Sequence, residues 1–509
     1  MRILTLLLLL VSAQTLPAGE KLNILLFTAD DLHSESVGAF ALKPSDLTPH
    51  LDRFASQSMR FDRAHVNVGI CAPSRAVIGT GLYSHRSGAM GFFKARDGVP
   101  DLVTTLQQSG YLAGILGKVD HSTPTRQMKW DYSFDRKDLG DGRHPGVYAA
   151  RSRTFFERAK KETKPFYFMV NSHDPHRPYC NPEKIRRGAA KPSKIYSPGE
   201  VVVPGFVPDL PGVREELSHY YNSTRRLDDT FAAVMKELQV AGFEKNTVVL
   251  FISDNGIAIP FAKCNAWLHS TRTPLLVRWP GTVKPKSVDA TNFVSGIDFF
   301  PTFLEITGVK GPKELDGRSF VPLLKGESQS GRHQVFTQID KKAGHDAVPM
   351  RCVQNAEYGY IYNPFADGEH RYRNNNEGKS MKAMVEAAQT DRSIAERIQL
   401  FRYRVPEELY DLKSDPNCLK NLIDDPKHAA AKSALKKELR RWMTETRDPM
   451  LPAFDAMHDR KVVDKVMEDT YGPPVWKKKQ QKKNKQPKRR RNQNKKNGRK
   501  QKRQAGSAK

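Results

Sequence analysis

Five short apolar runs, each broken off by a polar cluster, constrain the fold more tightly than any other feature of this sequence. They are LNILLFTADD (22–31), YLAGILGK (111–118), PFYFMVNSHDPH (165–176), TVVLFISDNG (247–256) and PLLVRWPG (274–281). A strand with one wetted face alternates apolar and polar side chains, whereas a run that stays apolar suits a strand covered on both faces. Helix-like stretches such as LVTTLQQSG and TRRLDDTFAAVMKELQVAGF lie between the runs. In the second, Leu227, Phe231, Val234, Met235 and Leu238 share one stripe, and Gly242 supplies a stop. Strands alternating with helices predict an α/β sandwich around a mainly parallel central sheet. From about residue 335 the texture changes. EYGYIYNP, FRYRVPEELYDLKSDP and the amphipathic KHAAAKSALKKELRRWMTETRD predict a smaller C-terminal α+β subdomain. The expected division is a leader over 1–18, a main domain over 19–335, the subdomain over 336–458 and a structureless basic tail over 459–509.

The leader and the tail bear on where such a chain works. After Arg2, the run ILTLLLLLVSA and small residues suited to cleavage read as a secretory signal, too short and too early for a membrane span. No later stretch is apolar enough to cross a bilayer, so a secreted or periplasmic protein is expected. The formal net charge of +27 is unevenly placed: residues 477–509 hold 17 Lys/Arg and no acid, leaving +10 on the rest. Such a tail cannot build a core. In an exported protein it suits a polyanionic glycan or the cell envelope, or serves as a solvated appendage.

The five cysteines, Cys71, Cys180, Cys264, Cys352 and Cys418, are too few for a disulfide scaffold, and no pair has zinc-finger spacing. With Cys71 set aside for chemistry, the others allow at most two bridges.

Polar groups stand just past the strand ends: Asp30-Asp31, Lys118, His173 with His176, and Asp254-Asn255. Ligands of open α/β sheets gather at that edge. Adjacent carboxylates repel each other unless a cation lies between them. Asp-Asp alone is more often a cap or turn, but with Ser-Asp-Asn after a second strand it makes a set of oxygen donors. Hard oxygens suit Ca²⁺ or Mg²⁺ rather than zinc.

Cys71 opens the string CAPSRAVIGTG. If a helix starts there, Arg75 falls on the same face as Cys71, and the helix N-terminus favours an anion. A buried cysteine at a helix start would explain a bare Cys-x-Pro. The longer pattern Cys-x-Pro-Ser-Arg followed by Thr80-Gly81 is far more specific, and it resembles the signature of the type I sulfatases of the alkaline phosphatase-like superfamily. HDPHRP, SDNGIAIP, PMRCVQ, ELYDL and TETRDP are in turn similar to the sulfamidase (N-sulfoglucosamine sulfohydrolase) branch, the resemblance covering most of residues 21–455.

That resemblance implies an alkaline phosphatase-like sandwich and a sulfated saccharide as substrate. It also implies a maturation enzyme that oxidises Cys71 to formylglycine, whose hydrate has one oxygen to attack sulfur and a second to expel sulfate. Asp30, Asp31, Asp254, Asn255 and an oxygen of modified Cys71 would hold one Ca²⁺. Arg75, Lys118 and Lys263 would neutralise the sulfate oxygens, and His176 and His121 would assist proton transfer. His173, Asp174 and Arg351 would contact substrate. His121 stands third after Lys118, as in iduronate-2-sulfatase-like members, and Lys263 stands where sulfamidases use arginine, so an O-sulfatase is the nearest alternative. A phosphodiesterase or phosphonate hydrolase of the superfamily and a non-catalytic polyanion-binding protein are the other readings. The chain is compatible with a homodimer.

Overall fold

The computed structural model describes residues 21–41, 46–342, 347–372 and 378–473. The leader over 1–18 and the lysine-rich run over 477–509 lie outside them.

The strands are β1 (Asn23–Asp30), β2 (Met59–Phe61), β3 (Ala64–His65), β4 (Leu112–Leu116), β5 (Tyr132–Phe134), β6 (Phe166–Pro175) and β7 (Thr247–Ser253). They continue with β8 (Leu275–Arg278), β9 (Ser287–Asp289), β10 (Val294–Ser295), β11 (Gln334–Lys341), β12 (Ala347–Asn355), β13 (Tyr358–Tyr362) and β14 (Glu407–Asp411). All five apolar runs therefore form strands. The main sheet has eight strands in the order β5-β4-β6-β1-β7-β8-β2-β9, and β3 pairs separately with β10. The stretch from β5 through β7 is parallel; β8 runs antiparallel to β7 and to β2.

Period 2 explains why β1 stays apolar along its length. Leu25 and Phe27 join one core with Phe231 of the helix Pro211–Val240, while Ile24 and Leu26 join a second core with Phe299 and Phe303 of the helix Phe299–Thr307. Phe27 meets Phe231 edge-on at 5.2 Å. Truncating such a residue to alanine costs about 3–5 kcal/mol. The stripe expected on the long helix is buried at Leu227, Phe231, Val234 and Leu238, with Met235 at its edge, and Gly242 turns the chain away at φ +81°.

The second sheet, β11-β12-β13-β14, is antiparallel and carries the helix Ala429–Glu445 through Leu435, Leu439, Trp442 and Met443. The expected tail boundary at 459 needs correction, because a helix spans Arg460–Tyr471. Asp459 caps it by accepting from the backbone N–H groups of Lys461 and Val462, and Arg460–Asp464 and Lys465–Asp469 pair along its surface. Opposite charges along this stretch are spaced to support a helix turn by turn. The two bridges that the cysteine count would allow are not formed: none of the five cysteines is in a disulfide, and all five are buried.

Candidate active site

The parallel strands β4, β6, β1 and β7 end on one edge of the sheet, so the polar groups at their ends converge. β1 delivers Asp30, and Asp31 follows at φ +69°. Beyond β4, Gly117 at φ +69° and Lys118 at φ +52° turn the chain over the site; a Cβ on Gly117 would lie 2.3 Å from the Asn171 carbonyl oxygen. Left-handed backbone at a non-glycine residue is strained, on the order of 1–3 kcal/mol, and here it falls on two residues that face the centre of the site. β7 delivers Asp254 and Asn255. The helix Cys71–Thr80 begins at Cys71 with no side-chain cap and ends at Gly81 in the left-handed region.

Arg75, expected beside Cys71, is fully buried. Its Nε and Nη2 lie 2.9 and 2.8 Å from Asp254 Oδ2, and Nη1 donates to Thr28 Oγ1 at 2.8 Å and to Asn171 Oδ1. Asn171 is held in turn by Nδ2 bonds to the carbonyls of Leu116 and Gly117 at 3.1 and 2.8 Å. Lys118 Nζ pairs with Asp30, and Lys263 Nζ with Asp31. Asn255 Nδ2 donates to Asp31 Oδ1 at 2.7 Å, the Asp31 N–H to Asp254 Oδ1 at 3.1 Å, and His176 Nε2 stands 3.8 Å from Asp31 Oδ2.

These groups set one another's protonation. Burial alone would push Asp30 up, but Lys118, with His176, Arg75 and Lys263, outweighs it and holds the carboxyl well below the usual carboxylate range. Burial, reinforced by Asp30 and Asp31, pushes Asp254 up to about 7 against the pull of Arg75. Burial pushes the Cys71 thiol up to about 12 and drags His121 down to about 4, with Lys118 adding to the latter. His176 is lowered too, burial prevailing over the attraction of Asp31 and Asp30.

Three buried oxygens, Asp30 Oδ1, Asp31 Oδ2 and Asn255 Oδ1, have no hydrogen-bond partner. Asp30, Asp31 and His176 also bring ligand atoms within 4.8 Å of one another. Orphaned buried oxygens are costly unless a cation takes them. Donors of this kind fit a hard divalent cation.

The site thus assembles Cys71, Arg75, Lys118, His176, Lys263, Asp30, Asp31, Asp254 and Asn255, with His121 at its rim. Three residues expected to touch substrate, Asp174, His173 and Arg351, are all buried. Asp174 is fully buried and takes a two-point contact from Arg226, at 2.7 and 2.9 Å, and Arg143 Nε at 3.2 Å. Arg143 Nη2 also donates to the His176 carbonyl at 2.9 Å, so the Asp174 hub fixes the turn that presents His176. His173 is wedged between the backbones of Gly117 and Gly142, where a Cβ would meet its ring at 3.3 and 2.2 Å. Arg351 is fully buried in β12, paired with Asp340 and Asp448. Asp174 and Arg351 thus have matched ionic partners inside the protein, whereas His173 Nδ1 is buried without one. Thr28, Asn171, Arg143 and Arg226 escaped the sequence reading, although Asn171 was visible as a polar break in the run 165–176.

Ligand groups at the carboxyl edge of a parallel sheet, joined there by a cysteine-led helix and fixed cations, sit in a fold of the alkaline phosphatase-like class. The chain belongs to the sulfatase family: the sulfatase model matches residues 22–309, and a model of the N-sulphoglucosamine sulphohydrolase C-terminal region matches residues 260–399. It is a sulfuric ester or sulfamate hydrolase. Human N-sulphoglucosamine sulphohydrolase is 31% identical over 482 residues, covering 86% of this chain and 93% of that protein. Two solved structures share the fold at lower identity. One, bound to its substrate D-glucosamine-2-N,6-O-disulfate, is 17% identical with a TM-score of 0.62, covering 84% of this chain and 99% of that one. The other, a phosphonate monoester hydrolase from Silicibacter pomeroyi, is 18% identical with a TM-score of 0.59, covering 84% and 96%.

Proposed function

We propose that this sulfatase removes the N-linked sulfate of glucosamine at the non-reducing end of a heparan-type glycan, using formylglycine made from Cys71 and one Ca²⁺. The observation that carries the chemistry is the set of orphaned oxygens on Asp30, Asp31 and Asn255 beside three fixed cations. Asp30, Asp31, Asp254 and Asn255, with an oxygen of the modified Cys71, are the groups that would hold the metal, which supplies Lewis-acid polarisation of a sulfate oxygen. Three carboxylates already balance Arg75, Lys118 and Lys263, so a divalent cation leaves net positive charge to receive an anion. The formylglycine hydrate supplies a hydroxyl for attack on sulfur and a second for release of sulfate.

The protein's own residues do the rest. Asp254, Thr28 and Asn171 lock Arg75, so its charge needs no reorganisation as the transition state forms. Lys118 and Lys263 lie where they can follow charge onto the sulfate oxygens. His176 and His121 are placed to hand a proton to the departing nitrogen, which leaves poorly as an anion, once the negative charge of the bound substrate offsets the burial that lowers both imidazoles. The likeness of residues 260–399 to the N-sulphoglucosamine sulphohydrolase C-terminal region supports the sulfamate as substrate. A leader over 1–18 would deliver the enzyme to the secreted or periplasmic space, and a maturation enzyme would read Cys71, Pro73 and Arg75. The basic tail would hold a polyanionic glycan or the cell envelope.

The spacing of His121 favours one second reading, an O-sulfatase on a sulfated polysaccharide. Sulfate release from N-sulfoglucosamine, 6-O-sulfated glucosamine and 2-O-sulfated uronate separates the two. Faster turnover of either ester overturns the sulfamidase assignment, and peptide mass mapping of residue 71 tests the aldehyde.

A further inference from the structure

Among the described residues the only exposed large aromatic side chains are two neighbours, Phe92 and Phe93, at 40% and 49% exposure. They stand at the rim of the site. The Phe92 ring meets the His121 ring edge-on, 5.5 Å between centroids. The segment that carries them is tied down on three sides. Lys94 Nζ donates to Asp120 Oδ1 at 2.9 Å and to the Thr123 carbonyl at 2.7 Å, clamping it to the loop that bears His121. The Ala95 N–H bonds the Pro124 carbonyl at 2.8 Å, and the Lys341 N–H bonds the Met90 carbonyl at 3.0 Å. Ala89 and Ala95 pack with Ala76 of the Cys71 helix in a small core of their own. Two benzene rings are therefore held in water on a fixed support, when the same support could carry polar residues without that cost.

We propose that Phe92 and Phe93 form a stacking wall for the pyranose ring next to the sugar that loses sulfate. A sugar ring offers C–H groups on one face and hydroxyls on its edge, so an aromatic face binds it while the edge stays hydrated. The charged centre recognises the sulfate, and the wall grips the chain behind it. The placement next to His121, at the rim of the charged centre, is the ground for assigning the occupant as the adjacent residue of the same glycan.

The inference rests on the saccharide reading above, and its test separates the two. KM is measured for N-sulfoglucosamine and for an N-sulfated tetrasaccharide, using wild type, Phe93→Ala, Phe92→Ala/Phe93→Ala and Phe92→Tyr/Phe93→Tyr. The expected result is a tetrasaccharide KM that rises about tenfold more than the monosaccharide KM in the alanine variants, as loss of one stacked ring implies. The tyrosine pair restores the wild-type ratio. Phe93→Ala leaves His121 untouched and should show the same direction. An unchanged ratio, or an equal rise on both substrates, overturns the wall. Sedimentation adds a second check: a wild-type dimer that the alanine pair dissociates would assign these rings to a contact between copies and overturn it as well. If wild type ignores N-sulfoglucosamine yet releases sulfate from an O-sulfated tetrasaccharide, the sulfamidase reading fails and the same ratio is read on that substrate and its monosaccharide.

Discussion

Two of the buried charge clusters among the described residues differ in kind, one at the carboxyl edge of the main sheet and one where the second sheet meets the main domain. In the first, Asp30, Asp31 and Asp254 face Arg75, Lys118 and Lys263, yet Asp30 Oδ1, Asp31 Oδ2 and Asn255 Oδ1 remain unbonded. In the second, Arg351 bridges Asp340 and Asp448, and all four carboxylate oxygens are taken. Asp340 also accepts from Tyr471 and Gln338, and Asp448 from the Met450 N–H. His85 of the main domain closes the junction through Gln338 at 2.8 Å. Burying charge is costly, so a finished cluster holds a shape and an unfinished one holds a ligand. The two look alike as sequence; completeness tells them apart.

The comparison breaks most visibly at Cys71. Cys71→Ala should lower kcat by about 10⁴-fold or more, the scale for removing a covalent nucleophile, with the melting temperature nearly unchanged. Substantial turnover by the purified variant would remove residue 71 from the chemistry. Arg351→Met should do the reverse. It leaves two carboxylates buried without their cation and should cost about 3–5 kcal/mol in denaturant unfolding, while the folded fraction keeps its specific activity. A loss of activity without a loss of stability would return Arg351 to the substrate.

Metal removal sharpens the contrast. Chelation should abolish turnover and lower the melting temperature, and Ca²⁺ should restore both. At a hundredfold excess over Kd the bound ion contributes about 2.7 kcal/mol. Stoichiometric zinc in active enzyme would refute the donor assignment. In Arg351→Met the loss on chelation should be the same size, since the clusters share no residue.

The smallest effect is an acid limb. Burial pushes the Asp448 carboxyl up, but Arg351 and His85 outweigh it and hold it below the usual range. A carboxyl lowered on folding adds stability that is present above its unfolded value, about 3.9, and is lost as pH falls through the folded value. Unfolding free energy should therefore dip below about pH 4, and Asp448→Asn should flatten that limb.

Much of this was legible in the sequence. Continuous apolar runs gave away β1, β4, β6, β7 and β8, because a strand covered on both faces has no polar side to display. Cys71 and Arg75 could be placed four apart on a helix, and Asp30, Asp31, Asp254 and Asn255 at strand ends, because local spacing and strand direction decide those positions. What no local pattern could reveal was partnership. That Asp174 answers to Arg226 and Arg143, that Arg351 answers to Asp340 and Asp448, and that Phe92 leans on His121 are facts of tertiary contact. The helix Arg460–Tyr471 belongs with them, since Tyr471 docks on Asp340 from 131 residues away. Sequence determined which chemistry could gather at one sheet edge. Only the tertiary structure decided which charges were spent on holding the fold, because a buried charge takes its meaning from the neighbour that neutralises it.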